Sequence, residues 1–447
     1  MTLGCLLAFF LAAFACGFPG GAATSPGPYM DAVPAQLFAR ADYAGAGRAL
    51  ALSGEPLVLS NSPEFPREPG ILVKVDDVGA GRFRVLYSHD NLLYDPRDPR
   101  VDDPATVGLA VVNHTGRPVS LFRTRWATVR TADAGGSPLV PADYAPAPPG
   151  GTAADYGGLE GATLVAQWFK SGDGVREYLV ADLGPGGIYF YHEDAGPGSW
   201  AMGLFDLVVR DRQTGEAVSG KIGVEVLIAR RGTDFASFYR SAARSNLILP
   251  ADATTPFHQR GLFSGADRTA CLGYAPGARP VAVQLAQRFD AENSDPAAAD
   301  YQPDMFVNDV SADGRDGHPP VAAQDSGDYG MQYVLRIRLS GPAAVAVAPA
   351  GYTGGGRAPV DMYDQHLVFD LDGDVQTLSF RDPRYADYYR SPFRLFPPGW
   401  GRVVYTLRPG PEGHTYTLRT MLPPNGYGPF TVMVMPASGV PVYRTVD

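Results

Sequence analysis

The sequence is poor in lysine, in cysteine and in long apolar runs, and each scarcity excludes something. Lys74, Lys170 and Lys221 are the only lysines; the rest of the 37 basic residues are arginine, scattered along the chain. No lysine sits in a G-x-x-x-x-G-K-[ST] phosphate loop. With a formal net charge of -10, the chain has no basis for wholesale binding to nucleic acid or anionic lipid. Charged residues make up only 19%, which argues against long disordered or coiled-coil segments. The three cysteines are Cys5, Cys16 and Cys271. The first two fall in the N-terminal apolar segment, so the folded part holds one thiol and no internal disulfide. A lone Cys271 in an apolar setting reads as packed rather than nucleophilic.

No histidines stand at i, i+4 spacing, and no G-x-S-x-G elbow follows a strand. The seven histidines leave a dispersed Ser-His-Asp arrangement open. The longest apolar run, residues 3–15 (LGCLLAFFLAAFA), is too short to span a bilayer but suits the core of a signal peptide. No basic residue precedes Arg40, so only the terminal amine supplies the usual positive flank. Cleavage after Ala23 makes residues 1–23 the signal peptide. Cleavage after Ala15 leaves Cys16 at a lipobox-like N-terminus, and a lipid there is the single route to a membrane.

What the sequence has in excess is Gly (53) and Pro (41) beside 45% apolar residues. Both punctuate helices and long strands, and the combination fits many short strands joined by turns. Residues 24–50 read as a leader or tether with a short helix at 33–40. Residues 51–231 form a first β module, and residues 232–256 a helix and linker. Residues 257–447 form a second module. The expected fold is all-β: two tandem immunoglobulin-like β-sandwich modules with one short connecting helix. The clearest local signal is residues 106–122, where two apolar runs flank Asn113-His114-Thr115-Gly116 and read as a hairpin. Residues 132–161 read as a long loop, and 163–169 as a strand. Residues 233–245 (TDFASFYRSAARS) carry a capped apolar stripe and read as the best helix.

Phrases spread in order along the chain resemble a group of exported proteins from Gram-positive bacteria. They are residues 60–87, 109–119, 258–268 (HQRGLFSGADR), 289–293 with 328–330, and 422–426 (LPPNG). Some members carry an appended copper-amine-oxidase N-terminal-like domain, which is not evident here. The resemblance implies export, two β-sandwiches and an envelope setting; it brings no catalytic residues and does not imply copper.

Four constellations are candidates for chemistry. Residues 290–328 hold ten acids and one base, Arg315, and oxygen-rich loops suit Ca²⁺. Asp309, Asp313 and Asp316 are its expected ligands, against the alternative of a solvated acidic loop. Asp370-Leu371-Asp372-Gly373-Asp374 reads as a hairpin turn before it reads as a metal site. His258, Arg260, Asp267 and Arg268 read as a structural Arg–carboxylate fork rather than an acid–base pair. Two aromatic clusters could stack on sugar rings. One includes Tyr388, Tyr389 and Trp400; the other is Trp168, Tyr178, Tyr189, Tyr191 and Trp200.

The sequence thus points to an extracellular or cell-surface bacterial protein that is structural or binds a partner, a cell-wall glycan or an envelope protein. A secreted hydrolase acting on carbohydrate through paired carboxylates is the alternative.

Overall fold

The computed structural model describes residues 32–43, 50–91, 93, 104–130, 159–196, 199–250, 260–286, 306–308, 322–324, 328–348, 366–379, 401–424, 426, 430–438 and 445–446. In chain order it begins with β1 (Ala32–Val33), α1 (Ala35–Ala39), β2 (Asp42–Tyr43), β3 (Ala51–Ser53), β4 (Leu57–Ser60), β5 (Gly70–Val75), β6 (Arg82–Asp90), β7 (Ala105–Asn113) and β8 (Val119–Arg130). Next come α2 (Leu159–Lys170), β9 (Tyr178–Leu183), β10 (Ile188–Ala195), β11 (Trp200–Asp211), β12 (Ile222–Arg230) and α3 (Phe235–Ser245). The remainder is β13 (Arg260–Phe263), β14 (Asp267–Tyr274), β15 (Val281–Leu285), β16 (Phe306–Asn308), β17 (Ala322–Gln324), β18 (Gln332–Leu339) and β19 (Ala343–Ala348). It closes with β20 (His366–Leu371), β21 (Asp374–Ser379), β22 (Gly401–Leu407), β23 (His414–Met421), β24 (Phe430–Pro436) and β25 (Thr445–Val446).

The fold is mostly β, as the composition required. A six-stranded sheet, β13-β4-β6-β11-β8-β9, faces a four-stranded sheet, β10-β7-β12-β5, across a core that includes Val73, Phe83, Val107, Leu109 and Val226. A seven-stranded sheet (β1-β22-β19-β24-β15-β2, with β25 on β22) faces the six-stranded β21-β20-β23-β18-β14-β3 across a second core. Strands with one face in solvent alternate: Arg336 and Arg338 of β18 point out between the buried Leu335 and Ile337. Strands β7, β12 and β22 are instead buried on both faces along almost their whole length, because elements cover their outer faces too. Helix α3 lays Phe235, Tyr239 and Ala242 over Ile71, Ala110 and Leu227 on the outside of the first sandwich, and Phe38 of α1 packs on the outside of the second.

Several expectations are corrected. Residues 163–169 are helical, within α2. The run TLVAQWF carries no exposed face because α2 is buried between the sandwiches, and a helix covered all round has no amphipathic period to read. Residues 32–43 are not tether: β1 pairs with β22 and β2 with β15, so the N-terminal segment completes the second sandwich. Strand β3 likewise joins β14, while β13, expected in the second module, pairs with β4 of the first. The modules therefore exchange strands, and neither is a continuous stretch of chain. The expected connecting helix is α3, capped by Asp234, whose Oδ1 accepts from the Ala236 N–H, rather than by Thr233. Cys271 is exposed on β14, alternating with buried Leu272. Residues 370–374 are a hairpin turn between β20 and β21, with Asp372 and Gly373 at positive φ.

The turn at residues 113–116 forms, but it is an arch rather than a hairpin. β7 belongs to one sheet and β8 to the other. The segment between β9 and β10 makes the same crossing beside it. Asn113 joins the two arches: its Nδ2 donates to Leu183 O (3.3 Å), Gly184 O (2.9 Å) and Arg117 O (2.7 Å), and its Oδ1 accepts from the Thr115 N–H. Turn chemistry is local, but the sheet that receives the next strand is settled by packing.

Candidate functional site

Three places gather polar chemistry. The first is the seam where the sandwiches meet. Helix α2 is wedged there against Leu57, Leu86, Ala127 and Leu204 of the first sandwich and Val368 and Met421 of the second. Gly161 lets the helix approach: a Cβ at this position would collide with the Pro424 carbonyl oxygen. Trp168, fully buried, has two guanidinium groups over its ring, Arg84 at 4.6 Å and Arg125 at 4.7 Å from the centroid. Arg84 Nε donates to Asp206 Oδ1 at 2.7 Å, and its Nη1 donates at 3.0 Å to Ala266 O and Gly330 O and at 3.4 Å to Asp267 Oδ1. Arg125 donates to Gly172 O (3.0 Å) and to Gln332 Oε1 of the second sandwich (3.2 Å).

Burial by itself would lower the pKa of Arg84; Asp206 and Asp267 outweigh it, and the net shift is upward. Asp267 is raised by burial against the pull of Arg84. Asp206 and Asp267 are thus two carboxylates committed to one buried cation. Buried pairs of this kind hold a geometry. Glu160, in the first turn of α2, is pushed up by burial to about 7.

The phrase HQRGLFSGADR is divided by this architecture. Asp267 belongs to the seam. Arg260, fully buried on β13, donates to Leu249 O (2.7 Å), Leu72 O (3.1 Å) and Ser62 O (3.4 Å), tying three segments of the first sandwich together. Arg268 is fully buried at the start of β14. His258 lies outside the described residues, as do Asp309, Asp313, Asp316, Tyr388, Tyr389, Trp400 and Cys16.

The second place is a buried pair the sequence did not announce. Ser60 Oγ lies 2.9 Å from His89 Nε2, and His89 Nδ1 lies 2.8 Å from Pro63 O. A backbone carbonyl can only accept, so Nδ1 carries the proton and Nε2 accepts from the serine. The spacing matches a serine nucleophile and its base. Both side chains, however, are fully buried and the orienting group is a carbonyl. Burial, with Arg260 nearby, lowers the His89 pKa to about 4 despite the opposing bond to Pro63. The pair fastens the segment after β4 to β6.

The third place is the open edge of the first sandwich, where β9 and β10 end their sheets. Register puts Tyr189 opposite Val111 and Tyr191 opposite Leu109, so both rings lean inward at the mouth. Trp126 and Thr128 of β8 face them, and Tyr191 Oη lies 3.0 Å from Thr128 Oγ1. Tyr178, opposite Arg123, is 42% exposed, and its neighbours Val175 and Leu179 are 76% and 60% exposed. Arg123 sits 4.2 Å over Trp126 and Arg176 5.1 Å over Tyr178. Burial raises the Tyr189 pKa, and the charge of Arg123 opposes it. Glu177 fixes the start of β9, accepting from Arg210 Nε at 2.6 Å and Arg82 Nη2 at 2.5 Å.

The structure therefore brings together part of one expected aromatic cluster. Tyr178, Tyr189 and Tyr191 share the edge. Trp168 is buried in the seam, and Trp200, the first residue of β11 and opposite Asp90 of β6, meets Phe65 edge-on with centroids 5.7 Å apart. Trp126, Arg123 and Arg176 were not singled out in the sequence. The signal was present in the alternation of β8, where Arg123 and Trp126 straddle a register shift that turns both inward.

No helix among the described residues is long and apolar enough to cross a membrane. No family model matches the chain, and no curated protein is similar to it. Among solved structures, the chain is similar at 9% identity to the tandem CBM51 modules of a family 98 glycoside hydrolase from Streptococcus pneumoniae. That likeness spans 78% of this chain and 81% of the other, with a TM-score of 0.14.

Proposed function

We propose that the protein is an exported envelope protein of a bacterium that binds a glycan without cleaving it. The observation carrying this reading is the aromatic mouth of the first sandwich. Trp126, Tyr189 and Tyr191 gather there half-buried against the core, with the exposed Tyr178 opposite Arg123 at the rim, beside hydroxyl and guanidinium groups, between the edges of two sheets. Aromatic faces meet the apolar faces of sugar rings, while nearby donors fix the hydroxyls. Export rests on the apolar run at residues 3–15, and a lipid on Cys16 would hold the protein at the cell surface. The role of the second sandwich in this reading is support: the α2 seam fixes it to the first.

The paired carboxylates a hydrolase needs are not favoured by the seam, where Asp206 and Asp267 are tied to Arg84. The experiment is affinity electrophoresis of the protein through gels containing cell-wall polysaccharides. Retardation of the wild type, with at least a tenfold loss for Tyr178→Ala and Trp126→Ala, is the expected result. Equal retardation of wild type and both variants would remove the edge from consideration.

A further inference from the structure

The charge around the mouth narrows the ligand class. Arginines near the edge are matched by acids almost everywhere: Arg82 and Arg210 by Glu177, Arg117 by Asp211 at 2.7 Å, and Arg212 by Asp182 at 3.2 Å. Arg123 and Arg176 break the pattern. Among the described residues, neither guanidinium is paired with a carboxylate, the Asp173 carboxylate being taken by the backbone N–H groups of Val175 and Arg176 at 2.8 Å; each guanidinium lies over an aromatic ring instead, Trp126 and Tyr178 respectively. A guanidinium over an aromatic ring is held by that contact while its N–H groups stay available for an anion, in the fork that suits a carboxylate. The chain around them carries a net charge of -10, so two unmatched cations at one aromatic edge run against its average.

We infer that the glycan taken at this edge is anionic: its ring faces rest on Tyr178 and the neighbouring aromatics, and its carboxylates are received by Arg123 and Arg176. This rests on the proposed glycan reading and adds the charge of the ligand. An extended acidic peptide would satisfy the guanidinium groups as well, but it would not need half-buried aromatic rings gathered at two sheet edges. An acidic saccharide uses both features.

The test measures retention on three immobilised polymers: polygalacturonate, neutral dextran and polyglutamate. The expected result is retention by polygalacturonate that weakens as salt rises, with little retention by the other two. Arg123→Gln and Arg176→Gln each reduce it at least tenfold. Arg212→Gln, which removes a matched surface arginine, leaves it unchanged. Thermal midpoints of the variants show that they fold. Equal retention on dextran and polygalacturonate overturns the anionic ligand and leaves the glycan reading standing. Equal retention on polyglutamate overturns the saccharide as the occupant. Retention by none of the three overturns the inference, and the gel assay with wall polysaccharides then decides the broader reading.

Discussion

Removing Trp168 should uncouple the two sandwiches. The side chain is fully buried, the Arg84 and Arg125 guanidinium groups lie over its ring at 4.6 and 4.7 Å, and it meets Phe169 edge-on with centroids 5.1 Å apart. Truncating a buried tryptophan to alanine costs about 3–5 kcal/mol in lost transfer energy and cavity. Each desolvated cation–π contact adds ~1–2 kcal/mol. Against this, the buried indole N–H has no hydrogen-bond partner among the described residues, and deleting it returns about 1–2 kcal/mol. The sum is about 3–8 kcal/mol, comparable with the ~5–15 kcal/mol that holds a typical domain folded. The assay is urea unfolding followed in parallel by far-UV circular dichroism and by differential scanning calorimetry. The wild type should unfold in one transition, because α2 belongs to both sandwiches. Trp168→Ala should unfold at lower urea and split into two transitions. Trp168→Phe retains a ring under both guanidinium groups and discards the unpaired N–H, so it should cost only about 1–2 kcal/mol. A Trp168→Ala variant within ~1 kcal/mol of wild type, still unfolding in one step, would refute the coupling.

Other consequences concern pH and metal. The His89 pKa falls from 6.5 to about 4 on folding, so between those values the unfolded chain binds a proton that the native state refuses. The His89 contribution to stability should therefore drop by about 3 kcal/mol as pH falls from about 6.5 to 4; because Glu160 and Glu225 act with the opposite sign over the same range, the check is the difference between wild type and His89→Gln in urea titrations, and a pH-independent difference would contradict the neutral buried imidazole. Glu225, whose carboxyl is raised by burial to about 7 beneath Tyr239, has the opposite sign. Its native proton is lost as pH rises, so stability declines between about pH 4.5 and 7. Glu225→Gln should remove that decline and stabilise the protein at pH 8 by ~2–3 kcal/mol, read from the shift in urea midpoint. Calcium held by Asp309, Asp313 and Asp316 would raise the thermal midpoint in excess Ca²⁺ over that in chelator, and an unchanged midpoint would leave only a solvated acidic loop.

The local level of this structure was legible. Strand β18 shows its period of two in Gln332–Leu339, α3 its stripe of Phe235, Tyr239 and Ala242, and the turns at residues 113–116 and 370–374 show their Asn, Asp and Gly. What misled was loss of periodicity on burial. Helix α2 reads as a strand because Leu164, Val165, Trp168 and Phe169 are all inside, and no polar face marks the turn of the helix. The aromatic edge was half legible: tyrosines on β10 stand out as a cluster, whereas Trp126 joins them only through the fold, from a strand more than sixty residues earlier.

Composition, turn residues and alternation by themselves determined that the chain is β-rich, punctuated and short of helices, because each of these acts within a few residues. Tertiary structure decided the rest. It sent β7 and β8 to opposite sheets, recruited residues 32–43 into the second sandwich and gave β13 to the first. It also determined which arginines met acids and which met only aromatic rings. Those outcomes depend on which surfaces bury one another, and burial couples residues that the sequence holds far apart.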